Sequence, residues 1–161
     1  MNDPVLLIIW HSRTGASEAM AMAAHDGAGN GARIIRAKNA APRDFLEADA
    51  YLFVCPENLA SLSGEMKEMF DQCYYPLLGE IEGRAYCTAI AAGSDGENAE
   101  RQIDRIATGW RLRRVAEGII VNLEAQTTEE ILAQKTVPSD NLEQCRELGR
   151  TMQEGLALGI F

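Results

Sequence analysis

The sequence is poor in the residue patterns that build metal centres and dithiol sites. Its four cysteines include no CxxC pair, and no histidine or cysteine lies near them at the spacing of zinc ligands. We therefore expect no metal site and no dithiol chemistry. Free cysteine is commonly buried, so we predict that all four thiols are packed as small apolar side chains: Cys55, Cys73, Cys87 and Cys145.

Long apolar runs and an excess of positive charge are also missing. The apolar run at 5–10 is too short for a membrane span, and neither a basic segment nor a small-residue cleavage site accompanies it. Asp and Glu outnumber Lys and Arg by 24 to 15, and the formal net charge of -9 repels nucleic acid and anionic lipid. These absences predict a cytoplasmic protein with no membrane or nucleic-acid partner.

What the sequence does contain is typical of one globular domain. Its 161 residues are 47% hydrophobic and 24% charged, and they show no repeat, no low-complexity segment and no interdomain linker. We therefore expect a single domain over residues 1–161.

Apolar segments alternate with amphipathic ones along the sequence. Continuous apolar runs are typical of strands covered on both faces, and they predict strands at 5–10, 32–36, 50–55, 85–92 and 115–121. Helical spacing of apolar residues predicts helices between the strands, the first ending in the glycine-rich stretch 27–31. A short helix is expected around Ile131 and Leu132, and a final one carries 142–156.

This alternation predicts a doubly wound α/β sandwich with helices on both faces of a parallel sheet. Ligands of such folds bind outside the carboxyl ends of the strands. The loops that follow three of the predicted strands therefore form the candidate site: 11–17, 56–62 and 92–97.

The first of these loops is suited to holding a phosphate. It leads directly into a helix, whose first N–H groups are unpaired and carry partial positive charge. The loop also offers hydroxyls, a glycine and a guanidinium. The residues that we expect to contact the phosphate are Ser12, Arg13, Thr14, Gly15, Ala16 and Ser17. His11 precedes them and is either a contact to the phosphate or a substrate carbonyl, or a hydrogen-bonded bystander.

The spacing of Ser12, Thr14, Gly15 and Ser17 resembles the phosphate loop of flavodoxins, which runs Ser/Thr, any, Thr, Gly, any, Ser/Thr after the first strand. The resemblance implies a flavodoxin-like three-layer sandwich with a five-stranded parallel sheet of order 2-1-3-4-5. It also implies non-covalently bound FMN, with the phosphate of FMN in this loop.

The second loop is similar to the stretch after the third strand in NAD(P)H-dependent FMN reductases and flavodoxin-like quinone reductases. The helix start from Ser63 to Lys67 fits their pattern, whereas the aromatic residue that many of them carry is absent and Ala60 stands where glycine is usual. The resemblance implies that the loop lies against the isoalloxazine ring through Pro56, Glu57, Asn58, Leu59, Ala60 and Ser61.

The third loop is rich in glycine, as in the related reductases. Ser94 and Glu97 predict a capping box for the following helix. The two glycines allow close backbone contact with a flat ligand, so we expect cofactor contacts from Ala92, Gly93, Ser94, Asp95 and Gly96.

The resemblance implies an FMN-dependent oxidoreductase in which NADH or NADPH passes a hydride to the flavin, and a quinone, a free flavin or a similar small acceptor is then reduced. No catalytic acid, base or nucleophile is required, because the cofactor carries the chemistry. Relatives of this kind commonly assemble, so we expect a homodimer or a homotetramer.

Two other functions remain open at this stage. The net charge of -9 also suits a flavodoxin-type one-electron carrier that docks on a basic redox protein. The unusual run at Asn58, Leu59 and Ala60 also leaves room for a flavodoxin-like domain that has lost its cofactor and serves as an interaction module.

Overall fold

Strands and helices alternate through the computed structural model, which describes residues 2–161. The strands are β1 Leu6–Trp10, β2 Ala32–Arg36, β3 Ala50–Asn58, β4 Ser61–Leu62, β5 Ala85–Ala92, β6 Arg113–Arg114 and β7 Ile119–Asn122. The helices are α1 Ala16–Ala28, α2 Pro42–Leu46, α3 Gly64–Cys73, α4 Glu97–Gly109, α5 Thr128–Leu132 and α6 Ser139–Ala157. Within residues 2–161, no helix combines the length and the apolar content that crossing a bilayer requires.

The central sheet has the order β2-β1-β3-β5, and both β6 and β7 pair with the far side of β5. These neighbours all run parallel, whereas the two-residue β4 pairs antiparallel with β3. If β6 and β7 are taken together as the fifth strand, the order is the predicted 2-1-3-4-5. The predicted α/β sandwich is therefore confirmed, with β4 as an unpredicted addition.

Only the last part of the predicted strand at 115–121 is a strand, β7, and residues 115–118 separate it from β6, which lies before the predicted span. β6 pairs with the start of β5 and β7 with its end. Between them the Arg114 guanidinium donates to the carbonyl oxygen of Ala116 (3.2 Å) and to Thr88 Oγ1 (2.7 Å), and it pairs with Asp104. The Ala116 carbonyl oxygen therefore accepts from a charged side chain, and the prediction of one unbroken strand over 115–121 was wrong.

Alternate residues of the central strands point to opposite faces of the sheet. Leu7 and Phe53 pack in a core with residues of α2, α3 and α4, whereas Leu6 and Leu52 pack in a second core with residues of α1 and α6. Burial on both faces explains why these strands are apolar at every position rather than at alternate ones.

The cysteines and the glycine-rich stretch lie where the sequence predicts. All four thiols are buried, and burial raises the pKa of Cys55 to about 12 and that of Cys145 to about 11, so both are protonated at neutral pH. Helix α1 ends at Ala28, and Gly29 follows it with a positive φ of 76°. The predicted helix stop is confirmed.

Helices α1 and α6 touch through their backbones at two glycines. A Cβ on Gly149 would lie 1.9 Å from the carbonyl oxygen of Ala24, and one on Gly27 would lie 1.9 Å from that of Arg146. Neither position accepts a side chain unless the helices separate, since no atom there is the end of a flexible group. This contact fixes the layer in which α1 lies, and α1 begins at the candidate site.

We predict that Gly149→Ala destabilises the fold by about 1–3 kcal/mol, because the added methyl group forces α6 away from α1. Gly64→Ala is the matched control, since Gly64 lies in the first turn of α3 with open space around it. Ala is the better helix former, so the control is neutral or stabilising by up to about 1 kcal/mol. Urea unfolding followed by circular dichroism measures both, and equal midpoints for Gly149→Ala and the unmodified chain would refute the prediction.

Candidate functional site

The three predicted loops lie at one edge of the sheet. Strands β1, β3 and β5 are parallel neighbours, with Trp10 opposite Val54 and Pro56 opposite Ala91. Their carboxyl ends therefore lie side by side, and the segments 11–17, 56–62 and 92–97 follow them. The structure brings the sequence-predicted residues together in one place.

The first loop turns sharply at Gly15 before α1 begins. Gly15 has a φ of 94°, a region that favours glycine, and its N–H donates to Ser12 Oγ (3.0 Å). Thr14 is half-buried and Arg13 is exposed; within residues 2–161 Arg13 forms no salt bridge. The loop thus presents a helix start, with its unpaired N–H groups, beside an available guanidinium.

Ser17 carries a buried hydroxyl that lacks a partner. It lies in the first turn of α1 with 1% of its surface exposed, and among residues 2–161 its Oγ forms no hydrogen bond. A buried polar atom without a partner is unfavourable and uncommon in native proteins. Because it sits in the same turn as the unpaired N–H groups, it fits a loop whose polar partner is a ligand.

The second loop is mostly a β-hairpin, which corrects the prediction of an irregular loop from Pro56 to Ser61. Strand β3 continues to Asn58, because Glu57 and Asn58 pair with Leu62 and Ser61 of β4. The turn itself is only Leu59 and Ala60, which have φ values of 53° and 60°. Positive φ at both positions is a backbone conformation that glycine adopts more readily than Leu or Ala. Leu59 is fully exposed at the tip.

The hairpin is fastened to α4 by polar side chains that sequence reasoning missed. Ser61 Oγ (3.1 Å) and the Leu62 N–H (2.8 Å) both donate to Gln102 Oε1, and Asn98 donates its side-chain amide to the carbonyl oxygen of Ala60. Asn98 and Gln102 lie four residues apart on α4, so they face the same side of that helix. The hairpin therefore has a fixed position above the sheet.

Helix α4, which follows the third loop, is capped by Glu57 of the second loop and not by Ser94 as predicted. Helix α4 has Gly96 as its N-cap, and the Glu57 carboxylate accepts from the N–H groups of Gly96 (3.0 Å) and Ala99 (3.2 Å). The predicted capping box of Ser94 and Glu97 was wrong, because the helix begins two residues later than that pattern requires. Glu57 is therefore a residue that positions the loop.

Close contacts around the third loop leave no room for a side chain at Gly96. A Cβ on Gly96, which has a φ of 101°, would lie 2.6 Å from Ile120 Cγ2. The carbonyl oxygen of Gly93 accepts from the N–H of Ala125 (3.0 Å), while Ser94 and Asp95 are exposed. The backbone of this loop is held from behind, and its exposed residues face outward.

His11 lies in a polar cluster where β1, β2 and α3 meet. Its Nδ1 is 2.7 Å from Ser63 Oγ. Glu65 accepts two hydrogen bonds from Arg36, at 3.0 and 3.1 Å, and the Arg36 guanidinium lies over the Trp10 ring. Burial lowers the pKa of His11, with Arg36 and Arg13 adding to the effect and Glu65 opposing it.

We predict that Glu65→Gln lowers the pKa of His11 further, because the substitution removes a negative charge that raises it. Glu68→Gln, an exposed change on the same helix, is the matched control and leaves the His11 titration unchanged. NMR titration of the imidazole protons measures the pKa. A value for the unmodified protein above about 6.5, the usual value for histidine, or a rise on Glu65→Gln, would contradict this account.

The chemistry of the edge is that of an anion-binding loop beside two backbone turns. The loops offer hydroxyls, N–H groups and a guanidinium, and no aromatic side chain occurs in 56–62 or 92–97. Among residues 2–161 no group of three His, Cys, Asp or Glu side chains is arranged to hold a metal ion. The arrangement suits a phosphorylated ligand held mainly through the backbone.

No protein-family model matches the chain. A flavodoxin from Aquifex aeolicus (strain VF5) is 28% identical over 174 residues, which cover 96% of this chain and 88% of that protein. A flavodoxin structure from the domain Archaea superposes with a TM-score of 0.75 at 16% identity, over 94% of this chain and 98% of the other.

A flavodoxin, WrbA-like protein from Agrobacterium tumefaciens gives a TM-score of 0.72 at 16% identity, over 96% of this chain and 98% of the other. These likenesses span nearly the whole of each protein. The chain therefore has the flavodoxin-like fold.

Proposed function

We propose that this chain binds FMN non-covalently at the carboxyl edge of its sheet and acts as a redox protein. The observation that carries the proposal is the buried hydroxyl of Ser17, which has no hydrogen-bond partner within residues 2–161 and lies in the first turn of α1, where the helix leaves its own N–H groups unpaired. A phosphate monoester satisfies all of them. The residues that would hold it are Ser12, Thr14, Ser17 and, through its charge, Arg13.

The isoalloxazine ring of FMN would lie between the hairpin turn and the loop 92–96. The hairpin is held by Asn98 and Gln102, and the loop is held by Glu57, so both present a fixed backbone to a flat ligand. Bound FMN supplies hydride and single-electron chemistry that no side chain of the protein provides. The protein fixes the phosphate, orients the ring and keeps the loops in place.

Within this function we propose NAD(P)H-dependent reduction of a quinone, a free flavin or a similar small acceptor. Two features support it. The helix start from Ser63 to Lys67 resembles that of the reductases. The segments 56–62 and 92–97 contain no aromatic side chain to cover the ring. An uncovered ring face leaves room for a nicotinamide. His11 lies close to this edge and is held by Ser63, where it is placed to contact a substrate.

One-electron transfer to a redox protein is the second candidate. It is supported by the net charge of -9, which favours a basic partner, and by the flavodoxin from Aquifex aeolicus (strain VF5) that is similar over nearly the whole chain. The reductase proposal includes assembly as a homodimer or homotetramer, which light scattering on the purified protein tests.

We predict that Ser17→Ala weakens FMN binding by about 10- to 100-fold, because one hydrogen bond to a charged group is lost. The free energy of unfolding of the FMN-free protein does not fall, since the substitution removes a polar atom that has no partner. Ser139→Ala, in the first turn of α6, is the matched control. Fluorescence titration with FMN gives the affinities, and an unchanged FMN affinity in Ser17→Ala would exclude this placement of the phosphate.

We predict that the FMN-loaded protein oxidises NADH or NADPH faster than an equal concentration of free FMN. Absorbance at the nicotinamide band follows the reaction with a quinone as acceptor. If neither nucleotide is oxidised above the free-FMN rate while a one-electron reductant reduces the protein, the reductase proposal fails and electron transfer to a redox protein stands. Mass spectrometry of the ligand released from freshly purified protein checks the cofactor itself.

A further inference from the structure

A polar segment connects the third loop of the candidate site to the first. We call it the strap and define it as residues 123–135, between β7 and α6. Its first end is tied to the third loop, because the N–H groups of Leu123 and Ala125 donate to the carbonyl oxygens of Ala92 (2.8 Å) and Gly93 (3.0 Å). The strap therefore starts at the loop proposed to contact the ring.

The other end of the strap is tied to the phosphate loop. The Lys135 N–H donates to the carbonyl oxygen of Thr14 at 2.7 Å. The Gln134 carboxamide lies directly on Gly15, since a Cβ on that glycine would be 2.1 Å from Gln134 Nε2. The strap thus runs from the proposed ring site to the proposed phosphate site.

The two polar side chains at this end, Gln134 and Lys135, differ in their hydrogen bonding. The Lys135 ammonium turns back and donates to the carbonyl oxygens of Ile131 (3.0 Å) and Ala133 (2.6 Å). The Gln134 carboxamide, in contrast, forms no hydrogen bond within residues 2–161 although it lies against the phosphate loop. Its two N–H donors are free beside the N-terminus of α1, where unpaired donors already converge.

We infer that the strap makes the phosphate site specific for a phosphorylated flavin, and that Gln134 is the specificity-determining residue, donating its side-chain N–H to a phosphoryl oxygen. This inference rests on the proposed function. The backbone bond from Lys135 to Thr14 places Gln134, and the absence of a side chain at Gly15 gives the carboxamide its position. The strap in this way couples the loop for the phosphate to the loop for the ring.

A neutral carboxamide at this place has a clear chemical consequence. It adds donors for a phosphate dianion without adding charge, and its isosteric replacement by glutamate puts a negative charge at the same position. A ligand without a phosphate gains nothing from it. Riboflavin, which shares the ring and the ribityl chain of FMN, is therefore the matched probe.

The test compares FMN and riboflavin binding by fluorescence titration in the unmodified protein, in Gln134→Ala and in Gln134→Glu. Gln72→Ala and Gln72→Glu, exposed changes in the last turn of α3 at the opposite edge of the sheet, serve as controls. We expect about tenfold weaker FMN binding in Gln134→Ala and a larger loss in Gln134→Glu that added salt reduces. Riboflavin binding changes by less than about twofold in all variants.

Each outcome decides one of the two proposals. If FMN binds the unmodified protein and Gln134→Ala leaves its affinity unchanged, or weakens FMN and riboflavin equally, the inference about Gln134 is wrong and the FMN site stands. If the unmodified protein binds neither flavin, or binds riboflavin as tightly as FMN, the phosphate site is wrong and the inference falls with it. Gln134 is exposed, and circular dichroism shows whether both of its variants retain the fold.

Discussion

The unpaired N–H donors at the start of α1 are the constraint around which this edge of the sheet is arranged. Every helix begins with such groups, but here Gly15 turns the chain so that the first turn follows a central strand directly. The Ser17 hydroxyl is buried in that turn without a partner, although the overall charge of the protein is negative. The net negative charge of the protein repels anions, so nonspecific attraction does not bring an anion to this site. A local site that nevertheless favours an anion indicates a specific ligand.

The surrounding loops are braced against each other, so the site is ordered by the protein's own contacts. Glu57 joins the hairpin to the start of α4, His11 and Ser63 join the phosphate loop to α3, and the strap joins the third loop to the first. All three connections use polar groups between segments distant in sequence. In the proposed function they would compensate for the absence of aromatic side chains from 56–62 and 92–97, since a backbone surface that is already rigid loses little conformational entropy when a flat ligand binds. In the proposed function, affinity then comes mainly from the phosphate rather than from stacking.

The architecture was predictable from the sequence, and the details of the site were not. Strands β1, β3 and β5 are buried on both faces, which leaves a continuous apolar run that is readable without a structure. The hairpin was missed because Leu59 and Ala60 lack the Asn-Gly signal for a turn with two positive φ values. The capping of α4 was assigned to Ser94 because local rules consider only near neighbours, whereas Glu57 acts from 39 residues away. Gln134 lies in a polar segment without periodicity, and only tertiary contacts bring it to Gly15.

The most direct test of the account is a titration of isotope-labelled protein with FMN, followed through its backbone amide NMR signals. If the start of α1 binds the phosphate, the largest shifts fall on the amides of residues 12–17, saturate with one equivalent of FMN and are much smaller with riboflavin. Shifts of equal size with both flavins at 12–17, or the largest shifts elsewhere in the protein, would contradict the claim that this helix start is a phosphate site.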